Sequence, residues 1–321
     1  MKSMKALRFA EYGPPSALVL TDMSTPEPAQ GEVLVQVQAS AVNPSDVKNV
    51  AGAFHASVPR VPGRDYVGLV VAGSDSWKGK EVWGNGPGFG VVRDGAHAQY
   101  VLVPIEGLSE KPSRLSAAEA ATVGVPYLAA WSSLVEAAGV RSGETILVTG
   151  ASGAVGRAAI QIAHWRGARV IGADIREGPS DADHLIVTTD KDLAAEAKSL
   201  TRGRGVDLVL DCVGGTMFEP SLNSLRPGGR QVAITSVGTR RVEFDLIDFY
   251  HEERRLIGVD TMKLTGREIA RIMDQLRDGF DQGKLKPSPT TTWPLSKAVE
   301  AYAAVEKGGS STTHVILPES I

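Results

Sequence analysis

Apolar positions in the first hundred residues fall into short alternating or β-branched runs, at 4–9, 32–40, 67–72 and 99–103, with Pro and Gly clusters between them. Alternation with a period of two predicts half-buried strands. Segment 83–95 (WGNGPGFGVVRDG) is rich in glycine, but no strand-to-helix junction surrounds it, so it reads as a turn-rich loop between strands. From Pro126 the period lengthens. Leu128, Trp131, Leu134 and Val135 fall at helical spacing between Pro126 and Gly139, which predicts a helix over 126–138. Strands and helices then alternate: strand 145–149, helix 154–164, strand 169–172, a short strand at 185–188, helix 192–200, strand 206–213, helix 217–224 and strand 231–235. This alternation predicts a parallel sheet with helices on both faces. Beyond Gly283 the chain returns to strand-like pieces punctuated by proline, ending at 314–317.

Composition narrows the classes. A chain of 321 residues exceeds what one hydrophobic core usually supports, so two domains are expected. The 34 basic and 37 acidic residues leave a net charge of -3 with no basic stripe, which argues against nucleic acid or an anionic membrane as partner. No apolar run has the length of a bilayer span. The opening MKSMKALRFAEYGPP has neither a long apolar core nor a small-residue cleavage pattern, and Cys212 is the one cysteine. Both features lead to the expectation of a cytoplasmic protein without disulfides or a multi-cysteine zinc site.

The sharpest motif is ILVTGASGAVGRAAIQI at 146–162. An apolar strand runs into Gly150, Gly153 and Gly156, and a helix of small residues begins at once. Ser152, Gly153, Ala154, Val155 and Gly156 are therefore the candidate cofactor residues. Gly153 lets backbone approach a pyrophosphate, Gly156 lets the helix lie close on the strand, and the first helical N–H groups face the anion. The spacing departs from G-x-G-x-x-G, because Ala151 stands where the first glycine would be. Asp174 lies 18 residues beyond Gly156 at the end of the second strand, where a carboxylate accepts from ribose hydroxyls. Arg176 is the counter-signal, a cation suited to a 2′-phosphate. The two together leave NAD(P)H as the cofactor, with NADH favoured over NADPH.

These residues, with others in fixed order, resemble the medium-chain dehydrogenase/reductase superfamily, specifically its zinc-independent quinone oxidoreductase-like branch. The likeness is carried by AVNPSD at 41–46 with Gly52, by Pro62, Gly63, Arg64 and Asp65 with Gly68, and by the glycine loop. DCVGG at 211–215, PGG at 227–229 and GKLKP at 283–287 with Pro294 and Leu295 complete it. The resemblance implies an α/β architecture: a GroES-like β-rich domain over 1–125 completed by 285–321, and an inserted Rossmann domain, doubly wound on a parallel sheet, over 126–284. It places the active site in the cleft between them, sets Val213 and Ser236 near the nicotinamide, and implies a homodimer. Where zinc-dependent relatives carry a ligand cysteine and histidine, this chain has Asn43 and Arg64. A guanidinium repels a metal, so no zinc is expected.

Without a Lewis acid, alcohol oxidation lacks its alkoxide stabiliser, whereas reduction of a quinone or an α,β-unsaturated carbonyl needs only hydrogen-bond or cationic help at the substrate oxygen. Lys48 and Asn43 are the candidates for that help. An enoyl thioester is the alternative substrate, and a dinucleotide-binding sensor without turnover is the alternative class. Two other enzyme classes fail on residues: no tyrosine has lysine four positions later, as a short-chain dehydrogenase requires, and no G-x-S-x-G elbow occurs at a strand-to-helix turn.

Overall fold

A computed structural model describes residues 3–178 and 180–319. The chain forms two compact units, Met1–Leu128 with Met262–Ile321, and Ala129–Thr261.

The first unit is built on a seven-stranded mixed sheet and a two-stranded hairpin, Ser3–Phe9 with Leu18–Ser24. Along the sheet the order is Thr290–Pro294, Thr313–Leu317, Glu32–Val42, Asp65–Ala72, Glu81–Asn85 and Ser109–Glu110, and Tyr100–Pro104 also pairs with Glu32–Val42. The C-terminal strand thus closes the sheet laid down by the N-terminal third, with His314 opposite Val42 and Ile316 opposite Ser40. Alternate residues Val33, Val35 and Val37 enter one core with Tyr66, Val82 and Phe89. Four helices of this unit were not read from the sequence: Pro44–Val50, Ala117–Ala121, Gly266–Asp281 and Ala298–Lys307. The longest begins with a capping box in which Thr265 and Glu268 satisfy each other's backbone N–H. Ile269, Ile272, Met273, Leu276 and Phe280 then recur at helical spacing and are buried. Phe280 meets Trp83 edge-on at 5.8 Å and Tyr127 at 5.3 Å. That packing draws the helix into the first unit, whereas the sequence boundary at 284 set it in the second.

The second unit is a six-stranded all-parallel sheet in the order His184–Val187, Arg169–Asp174, Thr145–Thr149, Val206–Asp211, Leu225–Ala233 and Arg255–Gly258. In chain sequence this is 3-2-1-4-5-6, the doubly wound Rossmann order. Val206–Asp211 is buried throughout, as a central strand covered on both faces must be. Ala154–Trp165 packs Ala158, Ala159, Ile162 and Ala163 inward, and its small residues allow close approach to the sheet. The helix expected over 126–138 is observed as Gly124–Trp131 followed by a π-helical turn, Ser132–Ala137. Strand Arg169–Asp174 runs two residues further than its apolar pattern, and among the described residues no helix follows it before His184.

Candidate functional site

Strand order reverses between Thr145–Thr149 and Val206–Asp211, so the loops leaving their C-terminal ends open a crevice where ligands bind in doubly wound sheets. The glycine loop sits there. Gly150 adopts φ +62°, which favours glycine, and faces Val213 and Cys212 across the crevice. Gly153 is the N-cap of Ala154–Trp165 and has no side chain to cap it. The N–H groups of Ala154, Val155 and Gly156 are therefore left without an intrahelical or side-chain acceptor, a ready anion site. A Cβ on Gly156 would run into the carbonyl oxygen of Gly150 and come within 2.8 Å of the Ala151 Cα, both backbone atoms that cannot swing away. A Cβ on Gly153 would meet only that same oxygen at 3.2 Å. The two glycines thus do different work: Gly156 keeps the helix on its strand, and Gly153 leaves space outward for a ligand.

Asp174 ends the neighbouring strand, half-buried. Its Oδ2 accepts from Ser152 N at 2.9 Å and Ser152 Oγ at 2.6 Å, and its Oδ1 accepts from Ile175 N at 2.8 Å. Ser152 and Asp174, expected separately as cofactor residues, are one clasp in the structure. Arg176 is exposed two residues on. On the other wall, Val213 N bonds Asp211 at 3.0 Å and Gly215 N donates to Ser236 Oγ at 3.1 Å. The expected cofactor residues of this unit therefore gather at the carboxyl ends of adjacent strands. The fit to a dinucleotide is direct: an uncapped helix start, a glycine where a side chain would intrude, and a carboxylate at the next strand end.

The first unit holds a buried polar cluster where the resemblance puts the metal of zinc-dependent relatives. Asn43 caps helix Pro44–Val50 and is buried; its Nδ2 donates to Asp65 Oδ2 at 2.8 Å and its backbone N to Asp46 Oδ2 at 2.8 Å. Asp65 Oδ1 also accepts from Asn85 Nδ2 at 3.0 Å and Val125 N at 2.8 Å. Burial outweighs the Asn85 amide and, with the charge of Asp46, pushes the Asp65 carboxyl up to about 7. Arg64 pairs with Asp46 at 3.3 Å, bonds Ser45 Oγ and lies 6.0 Å from the Phe54 ring centre. His97 donates from Nε2 to Ala41 O at 3.1 Å, leaving Nδ1 to accept from the Tyr302 hydroxyl at 2.8 Å. Burial pulls its pKa down, so it stays neutral. Both carboxylate oxygens of Asp46 and of Asp65 and both ring nitrogens of His97 already have protein partners, and Arg64 brings a positive charge. Among the described residues no three His, Cys, Asp or Glu side chains converge as a metal site. A zinc ion does not fit this donor set.

Lys48 lies on the exposed face of Pro44–Val50, one turn beyond Asn43. The structure thus separates the two proposed catalytic residues by environment: one is solvated, and the other has its amide committed to Asp65. Sequence reading grouped Asp46, Asp65 and His97 as a conceivable improvised metal site, but missed the amide partners of Asp65 and the part played by Thr149 and Asp211 beside the glycine loop.

Sheet order, glycine loop and strand-end carboxylate together define a dinucleotide-binding oxidoreductase scaffold. The chain matches the alcohol dehydrogenase GroES-like domain over residues 29–113 and the zinc-binding dehydrogenase family over residues 154–277. It is 30% identical to human quinone oxidoreductase over 329 residues, covering 98% of each chain. It is 35% identical over 290 residues to a zinc-type alcohol dehydrogenase-like protein of Schizosaccharomyces pombe, covering 88% of this chain and 87% of that one. A solved alcohol dehydrogenase superfamily protein from Novosphingobium aromaticivorans superposes with a TM-score of 0.88 at 31% identity, over 98% of this chain and 100% of that one. The protein belongs to the medium-chain dehydrogenase/reductase superfamily, in its quinone oxidoreductase-like branch, a family of NAD(P)-dependent oxidoreductases.

Proposed function

We propose that the protein is a reductase that moves hydride from NAD(P)H to a quinone or an α,β-unsaturated carbonyl, without zinc and with NADH preferred. The observation that carries this reading is the uncapped, glycine-started helix at the sheet's switch point with Asp174 at the adjacent strand end. The nicotinamide, when bound, supplies the hydride. Ala154, Val155 and Gly156 offer their N–H groups to the pyrophosphate, and Gly153 clears its path. Asp174, held by Ser152, presents a negative charge to the adenosine ribose; Arg176 beside it tempers the bias against a 2′-phosphate. Val213 and Ser236 line the nicotinamide side.

Lys48 is our candidate for stabilising negative charge on the substrate oxygen, because it is a cation with no ion-pair partner among the described residues. Asn43 serves the same helix from within: its amide and backbone hold Asp65 and Asp46, which fixes where the helix starts. We also infer a homodimer. Helix Leu246–His251 buries none of its residues and exposes Leu246, Ile247 and Tyr250, each by more than half, an apolar patch of the kind partner surfaces cover.

A steady-state panel of quinones, 2-alkenals and an enoyl thioester, each with NADH and NADPH, tests the reading. Turnover of a quinone or alkenal with NADH ahead of NADPH is expected. Turnover confined to the thioester would move the substrate class. Tight dinucleotide binding with no turnover would make the protein a sensor.

A further inference from the structure

Asp211 is fully buried at the end of the central strand, and the chain treats its two carboxylate oxygens unequally. Oδ1 accepts from Thr149 Oγ1 at 2.7 Å, Val213 N at 3.0 Å and Gly214 N at 2.9 Å, while Oδ2 has no hydrogen-bond partner among the described residues. Thr149 Oγ1 in turn accepts from Cys212 N at 3.0 Å. Both residues are buried, and they stand one position beyond the paired Leu210 and Val148 of adjacent parallel strands. Each is followed at once by a loop of the dinucleotide crevice, Gly150–Gly156 after Thr149 and Cys212–Gly215 after Asp211.

Burying a carboxylate with one oxygen unmet is unfavourable, so stability alone would select a residue with less to satisfy. What the charge adds is strength at Oδ1, since bonds to an ionised acceptor are shorter and stronger than neutral ones. Three such bonds converge on a single atom and tie the strand end before the first loop to the backbone of the second. The series continues outward. Gly214 has φ +68°, and a Cβ there would strike the carbonyl of Thr235. Gly215 N donates to Ser236 Oγ at 3.1 Å, Ser236 Oγ donates to Thr239 O at 2.6 Å, and Val237 N donates to Val213 O at 2.8 Å. Hydrogen bonds therefore run without a break from Thr149 through Asp211 and Gly214–Gly215 to Ser236. Gly150 closes the arrangement from its own side, where a Cβ would lie 3.3 Å from Val213 Cγ2.

We propose that Thr149 and Asp211 are a positioning pair that sets the spacing between the two walls of the crevice and so governs dinucleotide affinity without touching the ligand. The inference rests on the reading of this crevice as a dinucleotide site. Cofactor binding to the folded protein is the decisive readout, because a residue that only supports the fold changes the melting temperature and leaves the affinity of folded molecules alone.

Calorimetric titration of NADH into the wild type, Thr149→Val, Thr149→Ser and Asp211→Asn tests it, with thermal unfolding run in parallel. Thr149→Val keeps the shape and removes the hydroxyl; it is expected to weaken NADH by about 10- to 100-fold, the scale of losing bonds to a buried charge. Thr149→Ser restores the hydroxyl and should bind within about threefold of wild type on the same scale. Asp211→Asn keeps an acceptor oxygen and loses the charge, so it should fall between, and it carries the comparison if Thr149→Val does not fold. The double variant should bind no more weakly than the worse single one, as expected for residues acting as a unit. NADH affinity in Thr149→Val within twofold of wild type overturns the pair, and so does a Thr149→Ser that binds as poorly as Thr149→Val. A wild type that binds neither NADH nor NADPH is a different failure, one that removes the dinucleotide reading itself.

Discussion

Substituting Gly153 and Gly156 separates what the loop does for the fold from what it does for a ligand. At Gly156 an added Cβ comes within 2.8 Å of Ala151 Cα and closer still to the Gly150 carbonyl, against an ordinary contact of about 3.4 Å or more. Backbone on both sides must move by more than half an ångström, and overpacking of this kind costs about 1–3 kcal/mol. Alanine regains at most about 1 kcal/mol over glycine in a helix, less at its first turn. Gly156→Ala should therefore lose about 1–2 kcal/mol net, which at about 2–4 °C per kcal/mol for a domain of this size lowers the melting temperature by about 2–8 °C. Gly153 has φ -70° and ψ 165°, open to any residue, and its Cβ would meet a single oxygen at 3.2 Å. Gly153→Val should cost the fold less than about 1 kcal/mol, yet place two methyl groups where the pyrophosphate lies and weaken NADH at least about tenfold. Thermal unfolding followed by circular dichroism reads the first effect, and NADH titration of the folded variants reads the second. A Gly156→Ala protein as stable as wild type, or a Gly153→Val protein that binds NADH unchanged, would refute the assignment of roles.

Other substitutions probe the remaining assignments. Asp174→Ser should narrow or reverse the ratio of kcat/KM for NADH over NADPH, which is expected below about a hundredfold in the wild type because Arg176 nearby offsets part of the several kcal/mol by which Asp174 repels a 2′-phosphate; a wild type that prefers NADPH contradicts the role given to Asp174. Lys48→Met should lower kcat by about ten- to a thousandfold with NADH affinity unchanged, the scale of a lost electrostatic stabiliser, and an unaltered kcat returns Lys48 to the solvated surface. Asp65, held up to about 7, keeps its proton more tightly folded than unfolded, so its contribution to stability is full at low pH and lost as pH rises through that value. His97, held neutral by burial, works the other way, its contribution fading as pH falls below about 6.5. Because the two windows overlap with opposite slopes, the difference between wild type and Asp65→Asn isolates the carboxyl: in urea unfolding the wild type should lose stability relative to Asp65→Asn as pH rises from about 4 to about 7, and a difference that does not change with pH would mean that Asp65 is ionised in the fold.

The Rossmann half was legible because its signals are local. Apolar strand, glycines and small-residue helix all lie within seventeen residues at 146–162, and the structure places them as that order demands. The first unit was less so. Pro44–Val50 and Ala298–Lys307 are short helices between prolines and strands, with little room for a 3.6 period to declare itself. Gly266–Asp281 is long and amphipathic and was not read as a helix from the sequence, and nothing local says which sheet its apolar face will meet. Most of the site's polar partnerships were also beyond reach. Asn43 meets Asp65 across 22 residues, His97 meets Tyr302 across 205, and Thr149 meets Asp211 across 62, so only the fold brings them together. Asp174 was visible as a carboxylate ending a strand, while its clasp with Ser152 depends on how the loop turns back.

The most direct measurement of the proposed chemistry follows the hydride itself. NADH carrying deuterium at its transferring carbon is incubated with the enzyme, a chelator and a 2-alkenal, and the saturated product is analysed by mass spectrometry. The account predicts product with a single deuterium bound to carbon, formed at the same rate with and without chelator. Unlabelled product, or label that appears only after zinc is restored, would contradict it.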